Sequence, residues 1–526
     1  MRFDGLNKTR RQASDVFWRF VPISIVVAIS SYVLGSQIAR PQHRTIKAAL
    51  VLLALVVLTR FDMLFSVYFF ILLFPFPSGV VLTSTNVLLM TLIPLVWLVR
   101  SLATRQRLFA RTEIDKWIVL FLLAHVVSLF NVETTEAFTM GLKVIWRELT
   151  AVALFYLVAT FIEDEKKLEQ TTKVIAIAGA LVALMGIVEL FAPGVSLIPG
   201  WIEMRHPRGV GDLGYRIQGL RLGGTVGWDV LSDFCGLMLF FTVIHFLRGK
   251  NPIEKMFWLG VSIMSSAVLL GTATRGGVVS FGVACIYFLW VFRRRLNLVK
   301  CVVLISAIVV MFAAMQYVLL KYTLAVSMTD RLASTKFVGL QPESRAWLWE
   351  GALVRSRDHI FIGEGPWFDT RKGPAKGFWP HNGYLFYLCT LGLFGLSVFV
   401  IIMYRLFRIS VRYAHPLASG SYLGVALSIF SAQLVEFLVG QMRTDYQRTG
   451  DYVYPYLAWM LFGLIAAAGN ILKKRELEAG ASAPGPALPW RALPGTDGQT
   501  GGGAFGGEAR PREPGDGGSP VRRSPA

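Results

Sequence analysis

The side chains of this chain that are best suited to chemistry are arginines beside long apolar runs. Arg275 lies in a GTATRGG segment, residues 271–277, between two such runs. A charge in that setting is costly and usually faces protein or a water-filled cavity. Guanidinium groups present fixed forks of N–H donors that match phosphate oxygens. The position therefore predicts an anion-binding arginine, and snorkelling to lipid headgroups is the alternative.

An arginine-rich segment at 193–227 indicates the same chemistry. Against Glu203 and Asp212 it holds four arginines, namely Arg205, Arg208, Arg216 and Arg221. Short external loops normally carry few basic residues, so an anionic ligand would explain this excess if the segment lies outside. Contact with lipid phosphates or neighbouring acidic side chains explains it equally well.

A histidine stands immediately before a later apolar run, in the FWPHNGY segment at 378–384. Histidine is the side chain best suited to accept a proton from a hydroxyl near neutral pH. His381 is therefore a candidate general base, and nearby arginines would favour its neutral form. The alternative role is structural, with Asn382 as the N-cap of the helix that follows.

Two pairs of charged residues are spaced to share a helix face. Lys143 and Arg147 are four residues apart, next to Glu148, and could line one cavity, although an internal ion pair is the favoured explanation. Asp229 and Asp233 have the same spacing. We interpret them as counter-ions to nearby arginines.

No metal or cofactor site is predicted. The four cysteines lie in or beside apolar runs without the spacing of metal ligands: Cys235, Cys285, Cys301 and Cys389. The sequence shows no recognisable catalytic triad, phosphate-binding glycine loop or paired-carboxylate motif.

Apolar runs dominate the sequence that must position these residues. Apolar residues make up 54% of the 526 residues and charged residues only 16%. A bilayer core of about 30 Å requires runs of about 20 residues. The predicted spans are 18–38, 46–59, 61–76, 80–99, 114–130, 140–162, 173–192, 228–247, 256–271, 276–292, 299–320, 383–406, 418–439 and 453–472. They predict an all-α polytopic membrane protein with about 12–14 transmembrane helices, in which the first run is retained rather than cleaved.

The distribution of charge predicts the orientation of the chain. The 53 Lys and Arg exceed the 33 Asp and Glu, giving a net charge of +20. Most of this excess lies in short loops that the positive-inside rule places in the cytoplasm, so nucleic-acid binding is not predicted. The sequence predicts a cytoplasmic N-terminus at 1–17, a membrane domain at 18–475 and a disordered cytoplasmic tail at 476–526. The segments 193–227 and 321–381 are then periplasmic.

Several short motifs follow one another in a distinctive order. They are RLGGT at 221–225, TRG at 274–276, SRAW at 344–347, GEG at 363–365, HNGYL at 381–385 and LGLFGL at 391–396. Together they resemble the O-antigen ligase and O-antigen polymerase superfamily of bacterial membrane glycosyltransferases, most closely over 215–406. One departure is that the family often has Pro-Asn after the first arginine, whereas this chain reads Gly227-Trp228-Asp229.

The resemblance implies a GT-C-like membrane enzyme with one large periplasmic loop. Such enzymes move a glycan from undecaprenyl pyrophosphate to an acceptor hydroxyl at the periplasmic face of the inner membrane, by metal-independent inverting chemistry. The implied partners are this lipid-linked donor, a glycan or lipid A-core acceptor, membrane lipid and other polysaccharide-assembly proteins.

The resemblance also implies roles for individual residues. Arg221 and Arg275 would bind the pyrophosphate, and His381 would orient or deprotonate the acceptor. The further substrate-binding candidates are Arg345, which could instead support the large loop, together with Arg216, Arg147 and Asn382.

Three functions remain open at the level of the sequence. A polymerase of O-antigen or exopolysaccharide is favoured over an O-antigen ligase, because the chain is long and its large loop is extended. The rival class is a lipid-linked oligosaccharide flippase or transporter with a cationic cavity. A flippase, however, needs no large external loop that ends in a histidine.

Overall fold

The computed structural model describes most of the region between residues 63 and 478. The described residues are 63–73, 93–98, 101, 109–192, 221–222, 228–292, 298–323, 325–333, 337–338, 341–374, 377–417, 421–443 and 453–478. The predicted spans 18–38 and 46–59, most of 80–99, and the tail beyond residue 478 lie outside them. Arg216 and most of the segment 193–227 also lie outside.

Helices make up nearly all the regular structure of the described residues. They are α1 (Met63–Leu73), α2 (Asp115–Ser128), α3 (Thr135–Phe161), α4 (Glu165–Phe191), α5 (Trp228–Arg248), α6 (Pro252–Gly271), α7 (Arg275–Phe292), α8 (Leu298–Tyr322), α9 (Met328–Ala333), α10 (Glu343–Ser356), α11 (Gly383–Leu417), α12 (Tyr422–Gln441) and α13 (Val453–Glu478). Two short strands, β1 (Phe337–Val338) and β2 (Gln341–Pro342), pair antiparallel within the large loop, residues 321–381.

The described helices confirm the predicted class of all-α polytopic membrane protein. Seven of them are long and apolar enough to cross a bilayer, namely α3, α4, α5, α6, α11, α12 and α13. Shorter apolar helices occur in α1, α7 and α8. The total of about 12–14 spans stays a prediction, because several predicted spans lie outside the described residues. The division into a membrane domain and a tail also stays a prediction.

Polar residues fix where several helices begin. Asp164 caps α4 by accepting a hydrogen bond from the Lys167 N–H, and Asn251 caps α6, where Pro252 takes the first helical position. Because Asp164 supplies this cap, α4 begins at Glu165 rather than at the predicted residue 173. The span predicted from apolar residues alone was therefore too short at the N-terminal end of this helix.

The centre of the bundle is formed by α5, α12 and α13, which are buried along most of their apolar lengths. Helix α5 packs on α6 and α12, and α12 packs on α7 and α11. The outer helices carry exposed apolar side chains, such as Trp146 on α3 and Phe257 on α6, which suit contact with lipid. This packing brings together the starts of α5, α7 and α11 and the end of α12, where the candidate residues lie.

Helix α11 is broken at Gly392, whose backbone adopts φ 67° and ψ −170°. A break leaves carbonyl and N–H groups without helical partners, which is costly in a membrane protein. The large loop supplies four backbone hydrogen bonds: Glu364 N–H to Cys389 C=O at 2.9 Å, Gly365 N–H to Thr390 C=O at 3.3 Å, Leu393 N–H to Ile360 C=O at 2.7 Å, and Phe394 N–H to Phe361 C=O at 3.0 Å. The loop is thereby anchored on both sides of the break.

A buried ion pair holds α10 against this anchored segment. Arg355 contacts Glu364 twice, with Nε–Oε2 at 2.7 Å and Nη2–Oε1 at 2.6 Å. Burial raises the pKa of the Glu364 carboxyl, and the Arg355 charge opposes that shift. Asn131, in the turn before α3, adds a further tie by donating to the Gly363 carbonyl at 2.6 Å. The position of α10 thus depends on the break in α11.

Replacing Gly392 with alanine is expected to destabilise the folded protein. A Cβ makes the positive φ unfavourable and would overlap the Phe361 backbone. The loss should be on the order of 1–3 kcal/mol or more, visible as a lower Tm and a lower monodisperse yield in detergent. Gly282→Ala is the matched control, because a Cβ there meets nothing within 4 Å. Equal stability of the two variants would contradict this role of the break.

Candidate functional site

Arg221 holds the turn between α6 and α7. Its Nε donates to the Thr272 carbonyl at 2.9 Å, and its Nη2 donates to Thr274 Oγ1 at 2.9 Å. The side chain is buried. Arg221 therefore fixes the turn immediately before Arg275, a structural contact that the sequence did not reveal.

Arg275 begins α7 and reaches the short helix α9. Its Nη1 donates to the Arg331 carbonyl at 3.2 Å. The Arg331 side chain is also close enough for the two positive charges to repel each other. Two cationic side chains thus meet where the large loop leaves the membrane helices.

Asp229, at the start of α5, is the negative charge that these residues share. It interacts electrostatically with His381 and with three arginines: Arg221, Arg345 and Arg443. Arg221 interacts in turn with Arg275 and Arg331. We name these five arginines around Asp229 the arginine cluster. The structure therefore brings together Arg221, Arg275, Arg345 and His381, which the sequence analysis selected from distant parts of the chain.

Arg443, just beyond α12, is held by the aspartates of α5. Its Nη2 contacts Asp233, and its Nη1 lies 3.9 Å from Asp229 Oδ1. The same Nη2 is 3.4 Å from Ser232 Oγ. Gly276 makes this approach possible, because a Cβ there would overlap the Arg443 side chain. The predicted role of the two aspartates as counter-ions to arginine is confirmed.

Arg345 connects the large loop to the membrane helices. From α10, its Nη1 donates to the Arg443 carbonyl at 2.5 Å. This contact ties α10 to the end of α12, and both roles of Arg345, support of the large loop and contact with glycan, stay predictions.

His381 and Asn382 form the junction between the large loop and α11. The Asn382 Oδ1 accepts hydrogen bonds from the N–H groups of Tyr384 and Leu385 at 3.0 and 3.1 Å, so it is the N-cap of α11. His381 adopts φ 48°, a conformation that is uncommon outside glycine and often marks functional sites. The alternative to a catalytic role for His381 was a structural role at the start of α11. Asn382 supplies the N-cap there, so this structural role does not require the imidazole of His381. The substrate-binding role of Asn382 stays a prediction.

The arginine cluster carries more positive than negative charge. Among the residues that the structure describes, the five guanidinium groups of the cluster interact with two carboxylates, Asp229 and Asp233, so positive charges exceed negative ones by three. Burial, together with repulsion from neighbouring arginines, lowers the pKa of Arg221 to about 9 and that of Arg331 to about 10. Both side chains still carry a proton at neutral pH. A bound anion would relieve their repulsion, so the arrangement favours an anion-binding site.

Arg147 belongs to a different buried group. His125 of α2 interacts electrostatically with both Arg147 and Glu148 of α3, and Trp459 Nε1 donates to Glu148 at 3.3 Å. Lys143 is exposed whereas Arg147 is buried, so the structure does not place the two side chains in one buried group. Four residues turn a helix about 40° beyond a full turn, which carries Lys143 past the edge of the packed face. Binding of substrate by Arg147 stays a prediction.

Two members of the cluster, Arg331 and Arg443, were absent from the sequence-based candidates. Both lie on the external side of the predicted topology, Arg331 within 321–381 and Arg443 after the span 418–439. Basic residues are uncommon there. The same argument that selected the segment 193–227 could therefore have found them.

Four residues of the site, Arg275, Arg331, Arg345 and His381, come from one continuous stretch that runs from α7 to the start of α11. Residues 260–400 match the family model described as O-antigen ligase. All four residues lie within this O-antigen ligase segment, whereas Arg221 and Arg443 lie outside it. The resemblance noted in the sequence is confirmed over this segment, which supports a membrane glycosyltransferase of the O-antigen ligase and polymerase type. No curated protein matches the chain significantly.

Removing Arg443 is expected to destabilise the helix bundle, because the buried carboxylate of Asp233 would lose its contact with the Arg443 guanidinium. The side chains of Asp233 and Arg443 are only 2% and 10% exposed. Breaking a buried pair costs about 3–5 kcal/mol, so Arg443→Ala should unfold at a markedly lower temperature in detergent. Adding Asp233→Asn to that variant should restore part of the loss, and no rescue at all would contradict the pairing.

Proposed function

We propose that this protein transfers a glycan from undecaprenyl pyrophosphate to an acceptor hydroxyl at the periplasmic face of the bacterial inner membrane. The observation that carries the proposal is the arginine cluster around Asp229, with His381 beside it. The O-antigen ligase match of residues 260–400 supports the same class of reaction.

Arg275 and Arg331 bind the pyrophosphate of the donor. Both phosphates of a pyrophosphate diester are ionised at neutral pH, so they complement the excess positive charge of the cluster. Arg443 is already paired with Asp233 and therefore has a structural role. Arg221 contributes its charge and fixes the turn from which Arg275 projects.

His381 acts on the acceptor. Its imidazole takes the proton of the acceptor hydroxyl while the hydroxyl oxygen attacks the anomeric carbon of the donor sugar. The bond between that carbon and the pyrophosphate oxygen breaks, and undecaprenyl pyrophosphate leaves with the electron pair. The arginines stabilise the negative charge that develops on the leaving oxygen, and no metal ion takes part in this scheme. Attack opposite the leaving group inverts the anomeric centre.

The proposed orientation rests on the two ends of α5. The arginine cluster adjoins Asp229 at the start of this helix, and the opposite end leads into a short connection to α6, in or next to which lie Arg248, Lys250 and Lys255. The positive-inside rule places such a loop in the cytoplasm, so the cluster would face the periplasm. Within this class we propose a polymerase, whose acceptor is another lipid-linked glycan, because the large loop, residues 321–381, is long.

The proposed roles predict that two variants fail at different steps. His381→Ala should bind the lipid-linked donor with wild-type affinity but transfer glycan about a hundredfold to ten-thousandfold more slowly. Arg275→Ala should bind the donor at least about tenfold more weakly, and Arg275→Lys should restore little because lysine lacks the donor fork. Donor binding and single-turnover transfer by purified protein in nanodiscs would measure both effects.

Two matched controls lie in the large loop outside the cluster. His359→Ala and Arg357→Ala remove the same side-chain types and should leave both steps unchanged. Normal transfer by His381→Ala would remove this residue from the mechanism. Loss of donor affinity in His381→Ala would assign the histidine to the pyrophosphate and leave the base unidentified.

A further inference from the structure

Three further arginines lie near the far end of α11. The sequence predicted that this span ends at residue 406, but α11 continues as a helix to Leu417 and carries Arg405, Arg408 and Arg412 with it. From Gly383 to Arg405 the helix rises about 33 Å at about 1.5 Å per residue, close to the thickness of a bilayer core. These arginines therefore lie at the membrane boundary opposite the arginine cluster, which is the cytoplasmic boundary in the proposed orientation.

The three arginines share one face of α11 and line a cavity. At about 3.6 residues per turn, their spacing places them within about 60° of arc. The cavity is lined by Glu113, Arg405, Arg408, Ile409 and Arg412. We name it the basic pocket. None of these residues has a role in the proposed transfer of glycan.

The packing of three helices shapes the basic pocket. Glu113 lies just before α2, which packs against α11. The buried side chain of Ile409 supplies the apolar part of the lining. Ile409 lies close to the backbone of α13 at Gly469, where an added Cβ would be 3.0 Å from Ile409 Cγ2. The pocket is thus a product of the fold and is present before any ligand binds.

The basic pocket has room for a phosphate group. Its volume is about 100 Å³. A single water needs only about 10–15 Å³ of such space, so the pocket can hold a group several times larger than a water molecule.

The charge of the lining favours an anion. Three guanidinium groups stand against the single carboxylate of Glu113. Within the part of the chain that the structure describes, the side chains of Arg405 and Arg408 form no ion pair. The positive-inside rule accounts for basic residues at this boundary, but lysine would satisfy that rule equally well. Arginine additionally presents forks of N–H donors that match phosphate oxygens.

An exposed apolar stripe on α11 lies beside the arginine face. Val400 is 48% exposed, Tyr404 is 59% exposed and Val411 is 40% exposed. Their spacing places them within about 40° of arc, next to Arg408. In a membrane such a surface suits contact with acyl chains, and tyrosine is typical of the boundary between lipid and water. A ligand that has both a phosphate and acyl chains matches the two surfaces together.

We propose that the basic pocket binds the phosphate of an anionic phospholipid, such as phosphatidylglycerol, whose acyl chains lie along Val400 and Tyr404. Basic pockets between membrane helices are suited to such headgroups. The apolar stripe favours a lipid over soluble phosphate, which would use the arginines alone. This inference goes beyond the transfer of glycan and does not depend on it.

Titration of lipid into delipidated full-length protein in detergent, followed by native mass spectrometry, tests the proposal. The probes are phosphatidylglycerol, phosphatidylcholine and inorganic phosphate. Wild-type protein should bind phosphatidylglycerol more tightly than phosphatidylcholine, and inorganic phosphate at the same concentration should not displace it. The double variant Arg405→Gln/Arg408→Gln should raise the Kd for phosphatidylglycerol about tenfold to thirtyfold, with an unchanged Tm in the absence of lipid.

Arg248→Gln/Lys250→Gln is the matched control, because it removes two exposed positive charges near the end of α5, outside the lining of the basic pocket. It should bind phosphatidylglycerol as the wild type does. An equal loss in this control would show that binding follows total charge and would overturn the proposal. Equal affinity for phosphatidylcholine, or wild-type affinity in the Arg405 and Arg408 variant, would overturn it as well. Displacement of phosphatidylglycerol by inorganic phosphate would assign the pocket to a soluble anion instead of a lipid.

Discussion

The backbone hydrogen bonds at the break in α11 are the interaction on which the rest of the site depends. A helix in a membrane must satisfy its own N–H and carbonyl groups, and Gly392, the tenth residue of α11, interrupts that pattern. The large loop completes the pattern at four positions and is thereby fixed against the helix. Through Arg355 and Glu364, the same segment fixes α10, from which Arg345 reaches the end of α12. His381 lies in the chain between α10 and α11, two residues before α11 begins.

A second feature of the site is the crowding of positive charge against two aspartates. Asp233 forms an ion pair with Arg443, and this pair joins the end of α12 to α5. Asp229 interacts with several cations, so its single negative charge cannot neutralise Arg221 and also Arg275 and Arg331. The protein therefore holds guanidinium groups together at a cost in repulsion and desolvation, which a bound anion would offset. In the proposed reaction that anion is the donor pyrophosphate, whose negative charge increases as the sugar leaves.

Much of the architecture could be predicted because it follows from composition. Apolar runs gave the type and approximate limits of the described membrane helices, and the Asp229–Asp233 spacing correctly indicated counter-ions to arginine. Arg221, Arg275 and His381 were selected because costly charges and a histidine at membrane boundaries are expected to serve a purpose. Arg345 was selected only through the resemblance to the O-antigen ligase and polymerase superfamily.

What could not be predicted depends on tertiary packing. Apolar character continues through Gly392, so the break in α11 leaves no mark in hydropathy. The contact of Arg443 with Asp233 requires α12 to pass α5 and the side chain to cross Gly276. The bonds of Arg221 to the α6–α7 turn likewise join residues about fifty positions apart in sequence.

The central claim is that the arginine cluster binds the pyrophosphate of a lipid-linked glycan, and its most direct test is to locate that group. An electron cryo-microscopy structure of the full-length protein in nanodiscs with the lipid-linked donor would do so. The account predicts pyrophosphate density within hydrogen-bonding distance of the guanidinium groups of both Arg275 and Arg331, with Arg443 still on Asp233. Pyrophosphate density that contacts neither Arg275 nor Arg331 would contradict it.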